Sequence, residues 1–331
     1  MRYVILGAGA IGGSIGGKLA AAGKDVTLVA RGAHLEALQQ AGLELRDPDS
    51  TVRLRLPAVA SPEEAGLRAG DCVIVATKAQ QCEAALDALR AAAGSAVDLL
   101  SVVLAQNGVE GERLALRRFA RVYGMRVVLA GTHLEPGVVE IATAPLYGLL
   151  DVGRYPSGED ETSRQLAADL TAAGFDGRSR PAVMSLKYLK LLSNVANALD
   201  AATGDLRSDR ARAIVAAAQD EARACYAAAG IELADEDEDA ARRRLRGHTR
   251  PVGGLTRHGS SSWQSLERRT GDIEADYLNG EIVLLGRLYG VATPVNAVLQ
   301  QTANRLAREG RPPGSLEVEE IEAALGELAG R

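Results

Sequence analysis

Cysteine is scarce and unpatterned. Cys72, Cys82 and Cys225 are all there is in 331 residues, an odd number at no redox or metal-ligand spacing. This excludes a disulfide framework and a thiol-redox motif, and leaves small buried hydrophobes in a reduced, cytoplasmic protein. Histidine is equally thin, with four residues and no Cys/His cluster, so no metal is expected. Positive charge is not in excess: the net charge is −5 at pH 7, which argues against a basic face for nucleic acid. No apolar run approaches the ~20 residues of a membrane helix. The N-terminus has neither the basic flank nor the cleavage site of a signal peptide, and a strand pattern starts at once. No internal repeat is apparent.

What is present is alternation. The chain is 47% hydrophobic, and its length admits two domains. Up to about residue 180, predicted strands (Tyr3–Leu6, Val26–Val29, Leu54–Val59, Cys72–Thr77, Leu99–Leu104, Arg126–Ala130, Val138–Ile141 and Leu146–Val152) alternate with helices. Continuous apolar runs such as Val73-Ile-Val-Ala suit a sheet covered on both faces. Beyond that point only helical periodicity remains: Ala182–Ala202, Arg207–Ala229, Ala234–Arg246, Asp272–Tyr289 and Asn296–Arg308. The expected class is α/β, with an N-terminal Rossmann-type doubly wound domain over residues 1–180 and an all-α domain over 181–331. The acidic run from Asp235 followed by Arg242-Arg-Arg reads as a solvated helix whose charges favour its dipole.

The first strand runs directly into Gly7-Ala8-Gly9-Ala10-Ile11-Gly12. In that context G-x-G-x-x-G is the dinucleotide fingerprint. Gly7 makes the tight turn, Gly9 lets a diphosphate approach the backbone, and Gly12 lets the helix pack close to the strand. The helix N-terminus then offers N–H groups and a positive dipole end. An acid about 20 residues further on would favour NAD. The second strand ends instead in Arg31, whose guanidinium suits a 2′-phosphate, so NADP(H) is the expected cofactor.

Three loops follow strands at their carboxyl ends, where this fold binds ligands: Thr77-Lys78, Gln106-Asn107-Gly108 and Gly131-Thr132-His133. Lys78 can hold a cofactor phosphate or a substrate carboxylate. Asn107 both donates and accepts, so it can serve nicotinamide ribose and substrate together. Thr132 is a further cofactor candidate. In the helical half, residues 187, 190, 194 and 197 are spaced by three and four and share one stripe. Without a ligand that stripe is a solvent face. With one, a lysine above two asparagines can bind and protonate a carbonyl oxygen. Serines at 260–262 can hold a carboxylate, and Glu274 can pair with the lysine. No Tyr-x-x-x-Lys pair follows the central strands, since Tyr188-Leu-Lys190 has the wrong spacing, which argues against a short-chain dehydrogenase.

Taken in order, the set resembles the ketopantoate reductase (2-dehydropantoate 2-reductase) family over nearly the whole chain. It comprises G-A-G-A-I-G, Arg31, Thr77-Lys78-Ala79, Gln106-Asn107-Gly108, Lys190-Leu-Leu-Ser-Asn194, Glu274-x-Asp-Tyr-x-Asn-Gly280 and Gly290-Val-x-Thr-Pro294-x-Asn296. The K-x-x-x-N element is similar to the wider 6-phosphogluconate and 3-hydroxyacid dehydrogenase superfamily. The resemblance implies NADPH in a cleft between two domains and reduction of 2-dehydropantoate to (R)-pantoate, on the way to pantothenate and coenzyme A. It implies Lys190 as the catalytic lysine; should Lys190→Ala leave turnover unchanged, the role moves to Lys187, one helical turn earlier, or is removed altogether. It places Asn107 on cofactor and substrate, Asn194 and Asn197 on substrate, and Glu274 near the cofactor ribose and the lysine. The family's serine is followed by methionine, whereas here the stretch reads Ser261-Ser262-Trp263-Gln264-Ser265. Counting back from Glu274 selects Ser262, and aligning Trp-Gln selects Ser261. Two other functions remain open: the same chemistry on another 2-oxo acid, or an NADP-binding sensor without turnover. A homodimer is admitted but not required.

Overall fold

Valine, isoleucine and leucine fill the first strands because both faces of each are covered. The computed structural model describes residues 1–254, 258–269 and 271–329. In chain order the elements are β1 (Arg2–Leu6), α1 (Ala10–Ala21), β2 (Asp25–Val29), α2 (Gly32–Ala41), β3 (Leu43–Arg46), β4 (Thr51–Leu54), β5 (Ala58–Val59), β6 (Cys72–Val75), α3 (Cys82–Ala93), β7 (Ser101–Leu104) and α4 (Glu110–Leu116). Then come β8 (Val122–Leu129), β9 (Gly131–Thr132), β10 (Val138–Ile141), β11 (Gly148–Arg154), α5 (Glu161–Ala172) and β12 (Asp176–Ser179). The rest is helical: α6 (Val183–Asn194), α7 (Asn197–Thr203), α8 (Asp209–Ala228), α9 (Glu236–Arg246), α10 (Ser261–Glu267), α11 (Asn279–Tyr289), α12 (Pro294–Arg308) and α13 (Val318–Ala329). No helix among the described residues is long and apolar enough to cross a membrane.

The main sheet has the order β12-β11-β8-β7-β6-β1-β2-β5. All neighbours are parallel except β8 and β11. Alternate residues of β1 feed two cores. Tyr3 and Ile5 join Ile15 and Leu19 of α1 and Leu166 and Leu170 of α5. Val4 and Leu6 join Leu86 and Leu89 of α3 and Ala115 of α4. This is the doubly wound arrangement. From β1 the chain moves outward through β2 to β5, then returns on the other side at β6. The carboxyl ends of β1 and β6 therefore flank a topological switch point. A small second sheet, β4-β3-β10-β9, lies in the same unit.

The chain forms two compact units: Met1–Lys187 with Asp235–Arg257, and Tyr188–Ala234 with His258–Arg331. The single break expected near residue 180 is thus not what the structure has, because α9 belongs to the sheet unit. The reason is electrostatic. Asp239 and Arg242 are buried, not solvated. Arg126, fully buried in β8, pairs with Asp239 and donates to Asp151 at 2.8 Å. Arg242 donates to Asp151 at 2.7 Å and to Asp176 at 3.0 Å. These charges hold each other where water cannot, and removing one partner of such a pair costs about 3–5 kcal/mol.

The helical unit buries Ile214, Ala218, Cys225 and Tyr226 of α8, Ile282 and Leu285 of α11, and Val298, Leu299 and Leu306 of α12. Two motif asparagines join these helices. Asn279 Nδ2 donates to the Val195 carbonyl at 2.9 Å and to Asn296 Oδ1 at 3.0 Å. Asn296 Nδ2 donates to the Ala218 carbonyl at 2.9 Å. Glu221 of α8 accepts the Val295 and Asn296 backbone N–H groups at 2.8 and 3.0 Å, capping α12 behind Pro294.

Candidate active site

The sheet unit gathers the predicted cofactor residues, all but Glu274, at one edge. In register, Leu6 sits opposite Val29 and Val75, and Val75 opposite Leu104. The turns after β1, β2, β6 and β7 therefore leave the sheet at one level, carrying Gly7–Gly12, Arg31, Thr77-Lys78 and Gln106-Asn107. The three glycines differ in kind. Gly7 has φ +98°, and a side chain there would meet the Thr77 nitrogen at 2.9 Å. A side chain at Gly12 would strike the Gly7 carbonyl oxygen and lie 2.8 Å from Ile5 Cγ2. At Gly9 only His133 Cδ2 comes within reach, at 4.0 Å. The protein thus keeps an open space over Gly9 that a Cβ would enter.

Gly9 caps α1 without a side-chain bond, and no acid sits in the first turn, so the positive helix end is uncompensated. Arg31 is exposed, with no partner for its guanidinium among the described residues. Donor set, open backbone and cation fit a phosphorylated dinucleotide. Gly131 packs on the Ala10 backbone, where a Cβ would lie 2.9 Å from the carbonyl oxygen, so Thr132 and His133 flank the turn. His34 of α2 donates from Nε2 to the Ala8 carbonyl at 2.9 Å and accepts the Gly137 N–H on Nδ1 at 2.9 Å. The two bonds require the neutral ring, and burial and the neighbouring His133 both push its pKa down.

The turns after β6 and β7 are tied together by Gln106, whose amide donates to the Thr77 carbonyl at 2.8 Å and the Thr77 hydroxyl at 3.2 Å. Lys187 corrects the stripe reading. Its side chain is 3% exposed, pairs with Glu112, itself 1% exposed, and donates to the Gln106 carbonyl at 3.2 Å. Burial pushes the Glu112 carboxyl up, against the pull of Lys187. Asn197 leaves the stripe as well: α6 ends at Asn194, and Asn197 opens α7.

In the helical unit, Lys190 and Asn194 stay one turn apart on α6. Asn194 Oδ1 is buried with no hydrogen-bond partner among the described residues. The serine segment is a helix that periodicity did not reveal. Ser260 is its N-cap, accepting from the Trp263 N–H at 3.2 Å, while its own N–H donates to Asp200 at 2.6 Å. Ser262 is buried in α10 and Ser261 is half-buried. Glu274 opens a 3₁₀ turn and is buried. Its carboxylate and that of Asp272 support the charge on Arg268, which burial disfavours.

Comparison with known proteins places this geometry. The family described as ketopantoate reductase PanE/ApbA matches residues 3–157, and its C-terminal counterpart matches residues 182–307. A 2-dehydropantoate 2-reductase from Mesorhizobium japonicum is 32% identical over 93% of this chain and 98% of its own length. The chain belongs to the ketopantoate reductase family. Among solved structures, a PanE/ApbA family ketopantoate reductase from Ralstonia eutropha JMP134 matches at TM-score 0.78 and 28% identity, covering 94% of this chain and 99% of that one. A D-mandelate dehydrogenase with NADH and anilino(oxo)acetate matches at TM-score 0.78 and 25% identity, with the same two coverages.

For a ketopantoate reductase family member, the residues that sequence reasoning missed are the supporting ones. Glu112 is the buried partner of Lys187 and Glu221 caps α12, while Gln106 and Ser260, named from their motifs, take supporting roles instead: Gln106 joins the turns after β6 and β7, and Ser260 caps the serine helix. Glu112 and Glu221 each pair with residues remote in the chain, so no local pattern announces them.

Proposed function

We propose that the chain is an NADPH-dependent reductase converting a 2-oxo acid to the 2-hydroxy acid, with 2-dehydropantoate to (R)-pantoate, a cytoplasmic step toward pantothenate and coenzyme A, as the first assignment. The observation that carries it is the space over Gly9 at the uncompensated N-terminus of α1, in a chain whose two halves both match the family. The backbone of Gly7, Ala8, Gly9, Ala10, Ile11 and Gly12 would hold the diphosphate. Arg31 would hold the 2′-phosphate, with Lys78, Asn107, Thr132 and Glu274 as further cofactor contacts.

When bound, the nicotinamide supplies hydride to the carbonyl carbon. The Lys190 ammonium donates its proton to the carbonyl oxygen as that oxygen becomes the hydroxyl, and is left as the amine. Positioned proton transfer of this kind contributes about 10²–10⁴-fold. Before transfer, the cation stabilises the developing alkoxide. Asn194 Oδ1, buried without a partner, would accept from a substrate hydroxyl. Asn107 and Asn197 would orient the substrate, and Ser261 or Ser262 its carboxylate.

A second reading keeps the chemistry and changes the acid. The match to D-mandelate dehydrogenase equals that to the ketopantoate reductase in TM-score, and the serine segment departs from the family pattern. A panel of 2-oxo acids including 2-dehydropantoate and phenylglyoxylate, with NADPH oxidation followed optically, separates the two. Titration with NADH and NADPH tests Arg31: equal affinities refute its role. Lys190→Ala should lose turnover by about 10²-fold or more while still binding NADPH; unchanged turnover removes the lysine from the mechanism.

A further inference from the structure

We propose that the buried Lys187–Glu112 pair is a positioning device for Asn107, acting through the Gln106 carbonyl. The inference rests on the proposed function in one respect, that Asn107 serves cofactor and substrate together.

Both members of the pair are out of water: the Lys187 side chain is 3% exposed and that of Glu112 1%. An apolar pair would fill the same core without the cost of desolvating two charges. What an apolar pair lacks is a donor aimed at a chosen acceptor. The ammonium has three, and spends one on Glu112 Oε1 and one on the Gln106 carbonyl at 3.2 Å. That carbonyl belongs to the peptide that joins Gln106 to Asn107, so fixing it fixes the plane from which Asn107 departs.

The Gln106 side chain is held as well. The Gln106 amide is bonded to the Thr77 carbonyl and hydroxyl. Gly111 lies so close that a Cβ there would stand 2.5 Å from Gln106 Oε1, which confines the glutamine side chain. Gly108 takes φ +74°, so the chain turns away directly after Asn107. Main chain and side chain of Gln106 are thus held independently, the first by Lys187 and the second by Thr77. An asparagine that must donate to one ligand and accept from another tolerates little rotation, and a misplacement of about 1 Å can cost about 10²-fold in rate.

Removing one charge alone would leave the other buried, so Lys187→Met is expected to lose thermal stability and by itself decides nothing. The informative variant is Lys187→Met with Glu112→Leu, which keeps the core filled and removes the donor on Gln106 together with both buried charges. Should it not fold, Lys187→Met with Glu112→Gln carries the same test, the amide remaining buried without a charge. Three readouts are taken on the full chain: melting temperature, amide hydrogen exchange at Asn107 and Gly108, and steady-state kinetics beside NADPH affinity.

The expected result is a melting temperature near that of the wild type, with exchange at Asn107 and Gly108 faster by about tenfold or more. The turnover number should fall by up to about 10²-fold, while NADPH affinity, set by phosphate contacts elsewhere, changes little. A folded variant with wild-type exchange at these two amides overturns the proposal. So does accelerated exchange with unaltered turnover. If the wild type reduces no 2-oxo acid, the proposed function fails, and the exchange measurement still decides whether the pair holds the turn.

Discussion

Substituting the glycines of one motif should give opposite results at Gly9 and Gly12. At Gly9 the backbone is at φ −73°, ψ −153°, which alanine adopts without strain. A methyl would meet nothing closer than His133 Cδ2 at 4.0 Å. Losing glycine's chain entropy in the unfolded state favours the variant, and losing glycine at an N-cap disfavours it, so the net change in stability is within about 1 kcal/mol. The methyl does fill the approach to the helix N-terminus. One charge-assisted backbone bond to phosphate, worth about 1.5–3 kcal/mol, would be lost, weakening NADPH about 10–100-fold. At Gly12 the new methyl would press on the Gly7 carbonyl oxygen, with Ile5 Cγ2 at 2.8 Å and Ala76 Cβ at 3.0 Å. A backbone oxygen cannot rotate away. Overpacking of this kind costs about 1–3 kcal/mol, which lowers the melting temperature by about 2–12 °C. The assay is a thermal melt without cofactor beside an NADPH titration followed by fluorescence. If Gly9→Ala binds NADPH as the wild type does, or melts as low as Gly12→Ala, the assignment of roles is refuted.

His34 makes a pH prediction of definite sign. Burial and His133 hold its folded pKa below the ordinary histidine value of 6.5, so the unfolded chain takes up a proton before the folded one. Its contribution is fully present above pH 6.5 and is lost as pH falls from there through the lower folded value. His34→Gln keeps a donor for the Ala8 carbonyl and an acceptor for Gly137 but does not titrate. Melting temperatures of the two proteins should run parallel above pH 6.5 and diverge below it, the wild type falling faster, and curves parallel throughout would contradict the geometry. Glu221→Ala strips the first turn of α12 of both backbone acceptors. It should cost about 2 kcal/mol in a denaturant melt, with Glu221→Gln losing less. An unchanged midpoint would mean that Pro294 suffices to start the helix.

Where the physics is local, the chain is legible. The apolar runs of β1, β6 and β7 announce strands covered on both faces, and Val138–Ile141 is a strand with the expected bounds. The glycine turn is readable because backbone conformation and close approach each demand glycine at a stated spacing. Where partners are remote, legibility ends. β12 reads Asp-Gly-Arg-Ser and has no apolar signal; it is a strand because it pairs with β11, and Asp176 within it answers Arg242 across 66 positions. The break between α6 and α7 carries no glycine or proline. It coincides with Asn279 taking the Val195 carbonyl, a bond reaching across 84 positions. The expected strand Leu54–Val59 is instead the end of β4 and the separate β5, and α10 and α13 were not expected at all.

The two lysines of α6 show the same limit and bear on the proposed mechanism. From sequence, Lys187 and Lys190 are alternatives, one turn apart on one helix. What separates them is Glu112, 75 positions before Lys187. A general acid must surrender its proton in the reaction and regain it afterwards. If Lys187 did so, Glu112 would be left as a buried carboxylate with no counter-ion, a state several kcal/mol uphill. Its side chain is also only 3% exposed, held between Glu112 and the Gln106 carbonyl. Lys187 is therefore committed to a buried ion pair, which supports the proposal that Lys190, and not Lys187, is the proton donor.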